Sequence, residues 1–161
     1  MTTSSLPPRH ALETRIPPPA VALLVAALMW WLASFTPHAR LSYIARLNMG
    51  AVLALAGIAF ALSGVITFRR WQTTVRPEHP EKASTLVSTG PYRYSRNPMY
   101  LGLLAMLLGW GIYLAAPWSL LGPLAFVLYI NRFQIIPEER ALAARFGADY
   151  QGFCTSVRRW V

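Results

Sequence analysis

The sequence predicts an all-α integral membrane protein with about four transmembrane helices, a cytoplasmic loop and an amphipathic C-terminal helix or helical hairpin. Three observations carry that expectation. Hydrophobic residues fill 55% of the 161 positions and charged residues 13%, well under the charged share usual in soluble domains. Uncharged stretches recur at about the 20 residues that a helix needs to cross ~30 Å of hydrocarbon. Arginines gather at the ends of those stretches rather than within them, as they do in chains oriented by the positive-inside rule.

Taken in order, residues 1–15 read as a mobile cytoplasmic tail. Ile16 to Phe35 is the first span. It is too long for the apolar core of a cleaved signal and no cleavage site follows it. Thr36 to Arg46 forms a loop, and Leu47 to Phe68 the second span. Arg69 to Tyr100 is a connection of about 30 residues punctuated by Pro77, Pro80, Gly90, Pro91 and Pro98, with room for at most a short helix. A connection of that length in so small a protein is functional or disordered, and its aromatic content favours function. Asn97 to Asn131 is uncharged for 35 residues. One helix of that length would reach roughly 50 Å, too far for a single crossing. A tight hairpin resolves this, with Ala115-Ala116-Pro117-Trp118 as the break, because proline suits the first turn of a new helix and tryptophan suits an interface. The third span then lies near Met99 to Leu114 and the fourth near Pro117 to Ile136. Beyond a kink expected at Pro137, Leu142, Phe146, Tyr150, Phe153 and Val157 recur every three or four residues. They predict an amphipathic helix or hairpin broken at Gly147.

Arg69, Arg70, Arg76, Lys82, Arg93 and Arg96 outnumber Glu78 and Glu81 in the long loop, which places it, and with four spans both termini, in the cytoplasm. A bacterial inner membrane is the expected location. The net charge of +9 is explained by basic ends facing anionic headgroups, so no nucleic acid is expected as partner. Cys154 is the lone cysteine, which excludes an internal disulfide or a CxxC pair, and it is expected to be an inert thiol. His10, His38 and His79 stand at no ligand spacing, so no metal site is expected. The sequence holds no P-loop, no GxGxxG after a strand and no fixed-period repeat.

The remaining polar chemistry is concentrated at one membrane face. Gly90-Pro91-Tyr92-Arg93-Tyr94-Ser95-Arg96-Asn97-Pro98-Met99-Tyr100-Leu101-Gly102 runs directly into the third span, and Pro137-Glu138-Glu139-Arg140 ends the fourth. Taken singly, each piece has an ordinary explanation. The two glutamates suit the first turn of a helix, with Glu138 free to pair with Arg140 or Arg145. Arg132, seven residues before Glu139, would neutralise it or snorkel to the headgroups. The tyrosines suit an interface belt, and Gly102, Gly109 and Gly111 suit close helix contacts.

Together the two motifs, the helical hairpin between them, and Leu142, Phe146-Gly147 and Tyr150 behind them resemble the isoprenylcysteine carboxyl methyltransferase and phospholipid methyltransferase superfamily. The resemblance runs from about Thr74 to Val157. It implies a small helical membrane enzyme that uses S-adenosylmethionine, in a single domain over 16–161 whose cofactor half is 74–157. Family motifs of the Arg-His/Asn-Pro-x-Tyr and Glu-Glu types line the cofactor pocket. Carried over, they implicate Arg96, Asn97, Pro98, Tyr100, Gly102, Glu138 and Glu139, and Tyr92 beside them is a further cofactor-binding candidate. Asn97 stands where many members have histidine, and Phe153 where a second tyrosine is expected; both bear on the substrate.

These residue types suit such a cofactor. Carboxylates accept from ribose hydroxyls or pair with an ammonium, Arg96 can hold a carboxylate bidentately, and Tyr100 can pack on adenine. In-line methyl transfer mainly requires alignment in a dry site. Arg93 or Arg132 is expected to orient an anionic nucleophile, and a glutamate to take the proton of an amine. The lipophilic acceptor is expected to enter from the bilayer. Two other readings are an NADPH-dependent membrane reductase of sterol-reductase type, with Arg76, Arg93 and Arg96 on the phosphates, and a small four-helix exporter. An exporter of lipophilic cations should carry an acid within a span, and no span here contains one.

Overall fold

A computed structural model describes residues 13–71 and 86–161. The expectations for Arg76, Pro77, Glu78, Pro80, Glu81, Lys82, His10 and His79, and for most of the N-terminal tail, lie outside the described residues.

The described residues form helices and turns, with no strand among them. Helix α1 spans Pro18–Ser34 and α2 spans Tyr43–Arg70. The first loop is therefore shorter than the sequence predicts, and Arg46 falls in the first turn of α2 rather than in the loop. Helix α3 covers Pro98–Leu114, with a proline at its first position, where a missing N–H costs nothing. The chain reverses at Ala115, which adopts a left-handed conformation with φ of +52°. A 3₁₀ turn over Pro117–Leu120 then leads into α4, Leu121–Ile130. The hairpin thus sits where the uncharged stretch required it.

Pro137 does not break the fourth helix. The strain is absorbed one turn earlier, where Asn131–Ile135 winds as a π-helix, and α5 continues over Ile136–Phe146. Gly147, at φ +51° and ψ −119°, ends α5 in a backbone region that excludes most side chains, and α6 follows over Ala148–Ser156. Two helices, Tyr43–Arg70 and the continuous Pro117–Phe146, are long and apolar enough to cross a membrane, and α1 and α3 are shorter apolar helices.

Helices α2 and α3 run antiparallel along a seam of glycines. A methyl group added at Gly50 would stand 2.7 Å from the Gly109 carbonyl oxygen, and one at Gly57 would stand 2.6 Å from that of Gly102. Small residues seven apart on both helices let the backbones touch, the packing that helices use in lipid, where burial of apolar surface supplies little drive. Against α3 and α4, helix α1 lays Val21, Ala22, Val25, Met29 and Ala33. Phe126, Ile130 and Ile135 are completely buried in this core. Leu23, Leu24, Leu28, Val52, Leu55, Leu62, Leu124 and Leu128 stand exposed on the outside, a surface suited to hydrocarbon and costly in water.

Candidate active site

The polar residues converge where the start of α3, the end of the fourth helix and the C-terminal segment meet. The approach begins at Gly90, whose φ of +61° suits glycine and turns the chain into the 3₁₀ helix Gly90–Arg93. That turn buries Tyr92 with its ring edge-on to Phe68, centroids 4.9 Å apart. The Tyr92 hydroxyl is buried without a hydrogen-bond partner, and burial holds its pKa above the ordinary tyrosine value, with Glu138 adding to the shift.

Pro98 starts α3, and Asn97 occupies the position before it without capping the helix. Its side-chain amide instead donates to the Arg159 carbonyl at 3.0 Å. The buried Ser95 accepts from the Asn97 N–H at 3.1 Å and donates to the same Arg159 carbonyl at 3.4 Å. The Arg96 N–H donates to the Arg158 carbonyl at 3.0 Å. Two consecutive carbonyls of the C-terminal segment thus fix the backbone on which Arg96 is mounted.

The acidic pair divides its partners. Tyr100, one turn into α3, donates its hydroxyl to Glu138 Oε1. Glu139 receives Arg159 through both oxygens, Nε to Oε1 at 3.0 Å and Nη2 to Oε2 at 2.7 Å, and Arg96 Nη1 stands 3.3 Å from Oε1. Parallel N–H···O bonds of this kind are among the stronger and more directional polar contacts. The hydrogen bond to Glu139 also raises the pKa of Arg159, so its charge persists at any working pH. Arg96 donates from Nη1 to the Cys154 sulfur, while its Nε is buried without a partner. Tyr150 is buried beside this group, and burial first, then the Glu139 charge, keeps its phenol protonated.

Of the residues expected from the sequence, Tyr92, Arg96, Asn97, Pro98, Tyr100, Glu138 and Glu139 are brought together here. Gly102 lies one step further along α3, in the seam against Gly57. Arg93 stands exposed on the 3₁₀ turn. Arg132 is carried to Glu13, 3.1 Å away, rather than to Glu139. The physical reason is the π turn: its additional residue changes the helical phase, so seven residues no longer return to the same face. Residues 13–15, expected to end a mobile tail, are tied down by that ion pair and by the Thr14 N–H donating to the Phe133 carbonyl at 3.0 Å. Cys154, expected to be inert, touches Arg96.

Sequence reasoning missed Ser95, Asn131, Cys154 and above all Arg159. The Trp160 indole donates to the Asn131 side-chain oxygen at 3.1 Å and anchors the segment that carries Arg159. A Ser-Arg-Asn run and an Arg-Arg-Trp run are each unremarkable alone, and no local periodicity links them. Among the described residues no group of His, Cys, Asp or Glu could hold a metal ion. An apolar groove beside Gly57, Phe60, Leu101 and Gly102 contains none of these polar groups.

Residues 45–149, about two thirds of the chain, match the family described as phospholipid methyltransferase. A protein of Haemophilus influenzae, described as uncharacterized, is 44% identical over 63 residues, which cover 39% of this chain and 100% of its own length. No solved structure matches.

Proposed function

The chain belongs to the phospholipid methyltransferase family, and from that premise we propose that it is an S-adenosylmethionine-dependent methyltransferase acting on a lipophilic, membrane-dissolved acceptor. The acceptor is of the prenylated thiol or carboxylate type, or of the phospholipid amine type. The observation that carries this reading is the juxtaposition of Arg96, Arg159 and Glu139 with Glu138 and Tyr100 at one end of an apolar helix bundle. Two guanidiniums share one carboxylate, and the buried Arg96 Nε lacks an acceptor. That leaves an unmet donor for the carboxylate of an amino-acid ligand. Glu138 and Glu139 supply acceptors for its ammonium or for ribose hydroxyls. The donor set therefore fits the cofactor's zwitterionic end.

When bound, the cofactor supplies a methyl group already activated on a sulfonium. The residues of this chain bind, orient and exclude water. The Arg96 guanidinium is held by the Cys154 sulfur and Glu139, so it meets a ligand at little further entropic cost. Tyr100 holds Glu138 on one side of the site, and Arg159 holds Glu139 on the other. Tyr92 and Tyr150 are buried phenols that stay protonated.

We read α1, α2, α3 and the stretch from Pro117 to Ile135 as four spans, with the polar cluster at the cytoplasmic face. The docking of Thr14 on Phe133 and of Trp160 on Asn131 supports this, since it brings the described ends of the chain to the same end of the bundle. The acceptor then approaches sideways from lipid.

Titration calorimetry of the detergent-purified protein tests the cofactor. Binding of S-adenosylmethionine or S-adenosylhomocysteine, with none of NADPH, is the expected result. NADPH binding in their place would favour a reductase.

A further inference from the structure

Pro137 leaves a vacancy in the fourth helix that another part of the chain fills. In α-helical register the Phe133 carbonyl would accept from the N–H of residue 137, and proline has none. The Thr14 N–H donates to that carbonyl instead, at 3.0 Å. Two further contacts fasten the same stretch. The Gln134 side-chain amide donates to the Ile16 carbonyl at 2.8 Å. The Glu13 carboxylate, whose side chain is only 6% exposed, meets Arg132 Nη1 at 3.1 Å and Arg140 Nη1 at 3.8 Å. Thr14 sits at φ +58°, a conformation that threonine adopts only when its surroundings dictate it. The segment lies outside the residues matched to the family.

We infer that Glu13 is a positioning residue for the acidic pair, holding the π turn in the register that presents Glu138 to Tyr100 and Glu139 to Arg96 and Arg159. Its two arginine partners bracket the junction, Arg132 inside the π turn and Arg140 directly after Glu139. A carboxylate that ties both together fixes the rotation of the intervening residues. Relaxation of the π turn to α-helix would move every later side chain about 100° around the axis, enough to take Glu139 off Arg159. Glu13 touches no ligand in this scheme and acts through Arg132 and Arg140. The inference rests on the cofactor reading only for its effect on binding, because the register itself is a property of the free protein.

The native Cys154, alone of its kind in the sequence and engaged by Arg96, reports the state of the cluster without any ligand. Its maleimide labelling rate in detergent should rise several-fold in Glu13→Gln and rise less in Glu13→Asp, which keeps the charge. Pro137→Ala, which restores the missing N–H, should loosen the cluster by the independent route of competing with Thr14. S-adenosylhomocysteine affinity by calorimetry should fall roughly three- to tenfold in Glu13→Gln and less in Glu13→Asp, the modest size reflecting the partial exposure of both arginines. Labelling and affinity unchanged in Glu13→Gln, or labelling as fast in Glu13→Asp as in Glu13→Gln, would overturn the inference. A wild-type protein that binds no S-adenosylhomocysteine would sink the cofactor reading alone, since the labelling series still decides the role of Glu13.

Discussion

Arg159 grips Glu139 with both prongs of its guanidinium, at 3.0 and 2.7 Å, across a sequence separation of 20. The C-terminal segment is thereby a wall of the candidate site, since the carbonyls of Arg158 and Arg159 also hold Ser95, Arg96 and Asn97.

Replacing the fork by a point charge should separate geometry from charge. Lysine cannot make two parallel bonds to one carboxylate. Arg159→Lys is expected to weaken S-adenosylmethionine binding about three- to tenfold while the fold persists. Calorimetry beside a melting curve reads both. Wild-type affinity in this variant would show that Glu139 needs only a nearby cation.

The acidic pair should respond unequally to neutralisation. Glu138→Gln retains an acceptor for Tyr100, so stability should change by less than about 1 kcal/mol. Glu139→Gln strips two guanidiniums of their anion and should cost about 1–2 kcal/mol, discounted because Arg159 is part-exposed. Each substitution should weaken cofactor binding about tenfold or more, since a lost hydrogen bond to a charged partner is worth about 1.5–3 kcal/mol. If both variants bind normally, the pair is structural, serving its contacts with Tyr100, Arg96 and Arg159 alone.

Two glycines forecast opposite signs. A methyl group at Gly102 would lie 2.5 Å from the Gly57 carbonyl oxygen and 2.6 Å from the Ala61 Cβ, so Gly102→Ala should destabilise by about 1–3 kcal/mol by forcing α2 and α3 apart. At Gly152 nothing stands within 4 Å, and Gly152→Ala within α6 should stabilise by about 0.5–1 kcal/mol. Thermal melts in one detergent compare them directly.

Alkaline pH should unfold the protein through its buried phenols. The folded-state pKa values of Tyr92 and Tyr150 lie above the ordinary value of 10.0, so the folded chain keeps protons that the unfolded chain releases. Their contribution is fully present below pH 10 and is lost as pH rises beyond it. Stability measured from pH 8 to 11 should be level and then fall, with a shallower fall in Tyr92→Phe. An equal slope in that variant would place the titration elsewhere.

The sequence by itself determined the apolar helices, the reversal at Ala115 to Pro117, the break at Gly147 and the two motifs that meet. These are local properties: the length of an uncharged run, the missing N–H of a proline, the conformational range of a glycine. The heptad spacing of Gly50, Gly57 and Gly64 was equally open to reading, and its pairing with Gly102 and Gly109 was not. Only the tertiary structure decided that Glu139 meets Arg159, that Arg132 meets Glu13 across 119 residues, and that Asn97 turns its amide to a carbonyl 62 residues away. Such choices depend on the rotation of each helix about its axis. One π turn ahead of Pro137 resets that rotation for everything after it, a change no count of residues along the chain reveals.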